Sequence, residues 1–250
     1  MKIHELLEAK SRISLPEAKA ILADIETGKG RIAEIVQKKP YLKEMSVNLV
    51  RQLHGGNIAV YRALSLQNQS DMREDKIAST TTSFDIGFNM ANNSPGLIFT
   101  PTGDHSRSPM LLKYNITLDN VVAYVPALAS HALDVLSNRI SHIRDRRGDK
   151  LPISEIRNTA EQEKEIIADL SGVKPNQFPM DHSMDGTIWS GLLKDVHDGN
   201  YQNPDQYYDH IKSQSRNWFP DGMMDDPEKA VADFKKIIAQ KANLAKKFLD

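Results

Sequence analysis

The chain has 250 residues, 40% hydrophobic and 26% charged, a balance that suits a globular protein able to bury a core. Lys and Arg number 32 against 33 Asp and Glu, so the formal net charge is -1 and whole-surface attraction to nucleic acid or an anionic membrane is not expected. The absence of cysteine excludes disulfides, thiolate zinc sites, iron–sulfur clusters and a cysteine nucleophile.

In chain order, the N-terminus MKIHELLEAK carries Glu5 and Glu8 where a signal peptide needs an apolar core. A cytoplasmic protein as synthesised is expected, and any export would use a route without a cleaved signal. Residues 1–56 read as short amphipathic helices packed on the core. Ser14 and Glu17 form a capping box, and Ala18, Ile21, Leu22 and Ile25 recur at helical spacing. Ile32, Ile35 and Val36 begin a second helix ending before Pro40, and Met45 to Leu53 form a third, stopped by Gly55-Gly56.

The texture turns to strand at Ile58. Ile58 to Leu64 is β-prone, a polar loop covers Gln67 to Lys76, and Ile77 to Ser83 is a second strand segment. A short helix is predicted over Phe84 to Asn92 and a strand over Leu97 to Thr100. Pro101 to Pro109 reads as a polar loop. Met110 to Ile116 and Val121 to Val125 are strands joined around Leu118-Asp119-Asn120. Ala127 to Ile143 is predicted helical, Arg144 to Thr159 an exposed charged loop, and Glu163 to Leu170 a strand. Ile188 to Val196, Gln206 to Trp218 and Pro227 to Leu249 are predicted helices of a C-terminal extension, residues 176–250. Helices, then a β-rich middle over 57–175, then helices make an α+β plan. The longest clean apolar stretch, Val121 to Ala129, is too short to span a bilayer, so no membrane span is expected.

Several weak signals yield to plainer readings. Gly28 to Ala33 matches a loose G-x-G-x-x-A pattern, but the residues before it are helical rather than a strand, which makes it a corner between helices. His54 beside two glycines and Asp181-His182-Ser183 are isolated. The eight histidines show no ligand spacing, so no metal is inferred.

Three segments of the middle region place unusual polar residues on predicted strands. Arg62 interrupts the apolar run IAVYRAL, where a charge is costly unless it is paired or binds an anion. Ser79, Thr81 and Ser83 share one strand face, with Thr81-Thr82-Ser83 as an alternative register for the motif. Glu163-Lys164-Glu165 runs directly into Ile166-Ile167, which predicts two carboxylates on one face at the start of a buried strand. The overlapping Glu161-Gln162-Glu163 is a second Glu-x-Glu, and the isoleucines after Glu165 favour the later pair.

These segments, in this order, resemble the mono-ADP-ribosyltransferases with an Arg–Ser–Glu signature, a family that includes toxins and effectors. The matching residues are Val60-Tyr61-Arg62-Ala63-Leu64, Ser79-Thr80-Thr81 with Phe84, and Glu163-Lys164-Glu165-Ile166-Ile167. The resemblance implies a split β-sheet core with NAD, a consumed co-substrate, bound between its halves. It implies that Arg62 binds the NAD phosphates, that Ser79 orients the catalytic glutamate, and that Thr80 and Thr81 hold the strand, with Phe84 beside the cofactor. Glu165 would bond the ribose 2′-hydroxyl and stabilise the oxocarbenium-like state. Glu163 would activate the acceptor, an arginine on a target protein. His105 and Arg107 would contact NAD from the 101–109 loop, and residues 149–162 would recognise the acceptor. The expected activity is transfer of ADP-ribose to a protein side chain with release of nicotinamide, without a metal. An NAD glycohydrolase on the same fold and a non-enzymatic α+β interaction module are the alternatives.

Overall fold

The computed structural model describes residues 13–27, 30–66, 76–92, 108–136, 140–144, 149–180, 184–214 and 227–250. The chain divides into two compact units. The first comprises residues 1–62, 73–87 and 114–175, the second 63–72, 88–113 and 176–250. The mixture of helices with antiparallel ladders makes the protein α+β.

The first unit opens with α1 (Leu15–Thr27), α2 (Arg31–Lys38) and α3 (Pro40–His54). The predicted capping box is formed. Ser14 donates from its backbone N–H and its hydroxyl to the Glu17 carboxylate at 2.7 and 2.8 Å, and Lys39 pairs with the same carboxylate at 3.2 Å. These bonds, the one from the Ser14 backbone foremost, hold the Glu17 carboxyl below the usual carboxylate range. The third helix is longer than predicted, because Pro40 is accepted at its first position and extends it back over Tyr41 to Glu44. It ends where Gly55 takes φ 77 and donates its N–H to the Arg51 carbonyl at 3.0 Å.

The strands of this unit are introduced by β1 (Asn57–Leu66), β2 (Ile77–Thr81), β3 (Ser108–Thr117) and β4 (Val121–Tyr124), with α4 (Phe84–Asn92) after β2. The chain runs from one unit into the other within both β1 and β3. A 3-10 turn over Leu118–Asn120 joins β3 to β4, where the sequence predicts a connection. Next come α5 (Val125–Leu136), a small hairpin of β5 (His142–Arg144) and β6 (Lys150–Pro152), α6 (Ile153–Glu163) and β7 (Glu165–Asp169). Within the unit the strands pair in the order β4-β7-β2-β1, all antiparallel.

Ala18, Ile21 and Leu22 of α1, Ile32 and Val36 of α2 and Leu42 of α3 pack with Leu128, Ala132 and Leu136 of α5, Ile156 and Ala160 of α6, and Ile167 of β7. The N-terminal helices therefore belong to the same hydrophobic core as the strands that carry the Ser–Thr and Glu segments. Burying each such Leu or Ile side chain stabilises the unit by roughly 1.5–3 kcal/mol.

Three expectations are corrected here. The helix predicted over Ala127 to Ile143 ends at Leu136, and His142 to Arg144 is a strand. The stretch Arg144 to Thr159 is not one exposed loop, since its described part holds β6 and most of α6. Ile153, Ile156 and Ala160 recur at i, i+3 and i+7, and the last two are buried. Likewise Glu163 is the last residue of α6 and not part of the following strand. The strand predicted over Leu97 to Thr100 lies outside the described residues.

The second unit contains the start of β3 paired with β8 (Asn176–Pro179), then α7 (Met184–His197), α8 (Pro204–Gln214) and α9 (Pro227–Leu249). Ile188 and Leu192, Tyr207, Tyr208 and Ile211, and Ile238 and Ala242 form its helical core. Phe178 packs on Phe248 with ring centroids 5.9 Å apart. Lys113, buried by the sheet, donates its amine to the Leu249 carbonyl, while burial pushes its pKa down. Among the described residues no helix is long and apolar enough to cross a membrane.

Candidate active site

The register of β2 against β7 builds the site. Ser79 lies opposite Ile167, Thr80 opposite Ile166 and Thr81 opposite Glu165. Side chains two residues apart share a face, so Ser79, Thr81, Glu165 and Ile167 line one face of this ladder and Thr80 and Ile166 the other. On the first face the Ser79 hydroxyl donates to the Glu165 carboxylate across 86 residues of sequence.

The threonines fix that geometry. Thr80, buried, donates its hydroxyl to the Ile166 carbonyl at 2.7 Å. Thr81 donates to the Glu163 carbonyl at 2.6 Å, and its oxygen accepts the Ser83 N–H at 3.1 Å. The Thr82 N–H reaches the Lys164 carbonyl at 3.3 Å. Residues 80–82 thus hold the chain on both sides of Glu165. Lys164 adopts φ 48, a left-handed conformation, where it caps α6. This single residue turns the chain from helix into strand.

Glu165 is partly withdrawn from water. Burial pushes its carboxyl above the usual range, with the charge of Asp24 adding to the rise and the Ser79 hydroxyl opposing it. Asp24 is itself buried, at 4% exposure, on the core-facing side of α1, where its carboxylate accepts the Ile32 N–H at 2.8 Å and caps α2. Sequence reasoning missed Asp24. Its signal is an acid three residues after Ile21 on an apolar helix face, a position that demands a partner.

Not every predicted residue joins this group. Tyr61 pairs with Thr81, and the Tyr61 ring meets Phe84 edge-on at 5.6 Å. Tyr61 therefore shares the face of Ser79 and Glu165. Arg62, half-buried, is one residue further along, and at this register its side chain leaves on the opposite face. Glu163 and Glu165 do not share a strand face, because the left-handed Lys164 separates a helix end from a strand start. The expected acceptor loop, residues 149–162, is for the most part β6 and α6. His105 and Arg107 lie outside the described residues, as does Asp181-His182-Ser183. His54 ends α3, and burial, helped by the Lys164 charge, lowers its pKa. Gly28 and Lys29 of the Gly28–Ala33 pattern lie outside the described residues, and the element before the pattern is a helix, α1. Among the described residues no group of three or more His, Asp and Glu side chains is placed to hold a metal ion.

A carboxylate held by a hydroxyl in a partly dry setting can steady positive charge that develops beside it, since the field of an ion is least screened where water is scarce. No protein-family model, curated protein or solved structure matches the chain.

Proposed function

We propose that the chain is an NAD-dependent mono-ADP-ribosyltransferase with the split-sheet architecture of that family. It transfers ADP-ribose to a protein side chain, with arginine as the expected acceptor. The observation that carries this reading is the hydrogen bond from Ser79 to Glu165 between neighbouring strands, the pairing that the Arg–Ser–Glu signature requires of its second and third members. In the reaction the bond between nicotinamide nitrogen and ribose C1′ breaks, and its electron pair leaves with nicotinamide. The sugar carries oxocarbenium character, which the Glu165 carboxylate stabilises. The acceptor then bonds C1′ and gives up its proton to solvent water. Ser79 favours the ionised form of Glu165 and aims it, and Arg62 is assigned the diphosphate.

One observation favours a second reading, an NAD glycohydrolase. Glu163 closes a helix and does not stand on the strand that carries Glu165, so it does not share a strand face with Glu165 as expected of the acceptor-activating group. Water would then be the acceptor.

The test is label transfer from a tagged NAD analogue into lysate proteins, with nicotinamide release followed in parallel, for wild type, Glu165→Gln and Arg62→Ala. A labelled band lost in Glu165→Gln supports the transferase. Nicotinamide release without a band at any lysate source supports the glycohydrolase. Folded protein that neither binds nor consumes NAD overturns both and leaves an interaction module. Full activity in Arg62→Ala removes Arg62 from the site.

A further inference from the structure

The second unit carries a half-open polar cavity of about 330 Å³, lined by neither Ser79 nor Glu165. Asp195 of α7 forms one wall, and Gln206 and His210, four residues apart on α8, form another. Asn200 and Gln202 close it from the segment between the helices, with Tyr201 as an aromatic side.

The cavity is preformed. The Asn200 and Tyr201 N–H groups both donate to the Asp195 carbonyl, at 2.8 and 3.0 Å, so the segment folds back on the residue it faces. The Asn203 side chain caps α8 by accepting the Gln206 N–H at 2.9 Å. The Tyr207 hydroxyl donates to the Ile188 carbonyl at 2.6 Å and locks the two helices together. Gly191 makes that closeness possible, since a Cβ there would stand 3.3 Å from the Tyr207 oxygen.

The lining chemistry selects a ligand. Among the described residues no Lys or Arg lines the cavity, and Asp195 is its only fixed charge. Of the nearby cations, Lys194 is paired with Asp198 at 3.0 Å and Lys235 with Asp205 at 2.6 Å, and Lys246 lies 5.7 Å from the centroid of the Tyr201 ring. Burial pushes the Asp195 carboxyl up, against the opposing pull of His210, so its ionised form gains from an incoming positive charge. An anion would meet repulsion. An aliphatic ligand would strip water from three amide side chains and return no hydrogen bonds. A planar cation rich in N–H donors satisfies a carboxylate and amide carbonyls together, and a guanidinium is more weakly hydrated than an ammonium.

We propose that this cavity binds a guanidinium group on a short alkyl chain, such as an arginine side chain, with Asp195 as its counter-ion and the amide carbonyls of Asn200, Gln202 and Gln206 as further acceptors. The site is a binding site, and it stands whether or not the chain cleaves NAD.

The test is titration calorimetry of the full chain with N-acetylarginine methylamide, its neutral citrulline isostere and myo-inositol. Amide resonances of residues 195–210 report the location. The arginine compound is expected to bind and to shift those resonances. The citrulline isostere and the Asp195→Asn variant should each weaken binding on the order of tenfold or more. Asp195→Asn keeps the backbone carbonyl that anchors the segment. Gln202→Ala, on the outer segment, is expected to weaken binding about threefold without moving Tm. Equal binding of the citrulline compound, unchanged binding in a folded Asp195→Asn, binding of myo-inositol in place of the arginine compound, or no binding at all would each overturn the proposal.

Discussion

Glu165 in the first unit and Asp195 in the second are both carboxylates pushed up by burial, yet they are held in opposite ways. Glu165 owes its position to strands brought together from 86 residues apart, and three threonine hydroxyls or amides secure the register around it. Asp195 owes its position to one helix–turn–helix segment, in which every wall of its cavity lies within 16 residues. The first arrangement is non-local and depends on the ladder closing correctly. The second is local and forms wherever the two helices form. A long-range site gains a closely fitted partner for its carboxylate, and a local site gains room for a ligand.

The sharpest way to break the comparison is Glu165→Gln. Under the proposed activity it is expected to lower NAD cleavage by about 10²–10³-fold, read as nicotinamide release. The same variant should be more stable than wild type at neutral pH. The folded-state pKa of Glu165 lies above its unfolded value, so folding is favoured while the group is protonated, and that advantage is lost as pH rises through the window between the two values. Gln carries no charge at any pH. The Tm difference between variant and wild type should therefore vanish at acid pH and open as pH rises. A flat difference would show that burial of Glu165 has no electrostatic cost.

Ser79→Ala removes the donor that opposes this rise. The acid limb of the pH–rate profile is expected to move to higher pH, with activity down about tenfold. A profile that keeps its position would make Ser79 irrelevant to the charge of Glu165. In the second unit, Tyr207→Phe leaves the buried Ile188 carbonyl without its hydroxyl partner. It should cost about 1–3 kcal/mol in urea unfolding and loosen the Asp195 cavity while leaving NAD cleavage unchanged. Smallest is Thr80→Val, expected to cost about 1 kcal/mol by the same measurement, because the Ile166 carbonyl loses one of its donors. If Thr80→Val also weakened arginine binding at Asp195, the two sites would not be separable.

Legibility in the sequence falls along the same divide. The capping box of Ser14 and Glu17 and the spacing of Ala18, Ile21 and Leu22 identify α1, because caps and periodicity act over a few residues. The Ser–Thr and Glu segments could be named as partners only through a resemblance, since no local pattern reveals that Thr81 lies opposite Glu165. Helix α6 carried its signal in Ile153, Ile156 and Ala160, hidden among charged neighbours that read as a loop. The break at Lys164 carried none, because a lysine has no preference for a left-handed backbone. That break is why the strand predicted from Glu163 begins at Glu165, and why alternation assigned Glu163 to a shared face it does not have. For Arg62 the type of residue was informative, but its face depends on a register that only the folded ladder sets. The Asp195 cavity has no motif at all, only polar residues on two short helices and the turn between them.

Lys164 has a consequence for anyone engineering this protein. A left-handed backbone at a residue with a side chain costs roughly 1–2 kcal/mol, and glycine would relieve much of it. Stability screens would therefore favour Lys164→Gly. The same change would free the peptide immediately before Glu165 to sample many more conformations. Selection for a tougher protein and selection for a well-aimed carboxylate pull this one position in opposite directions.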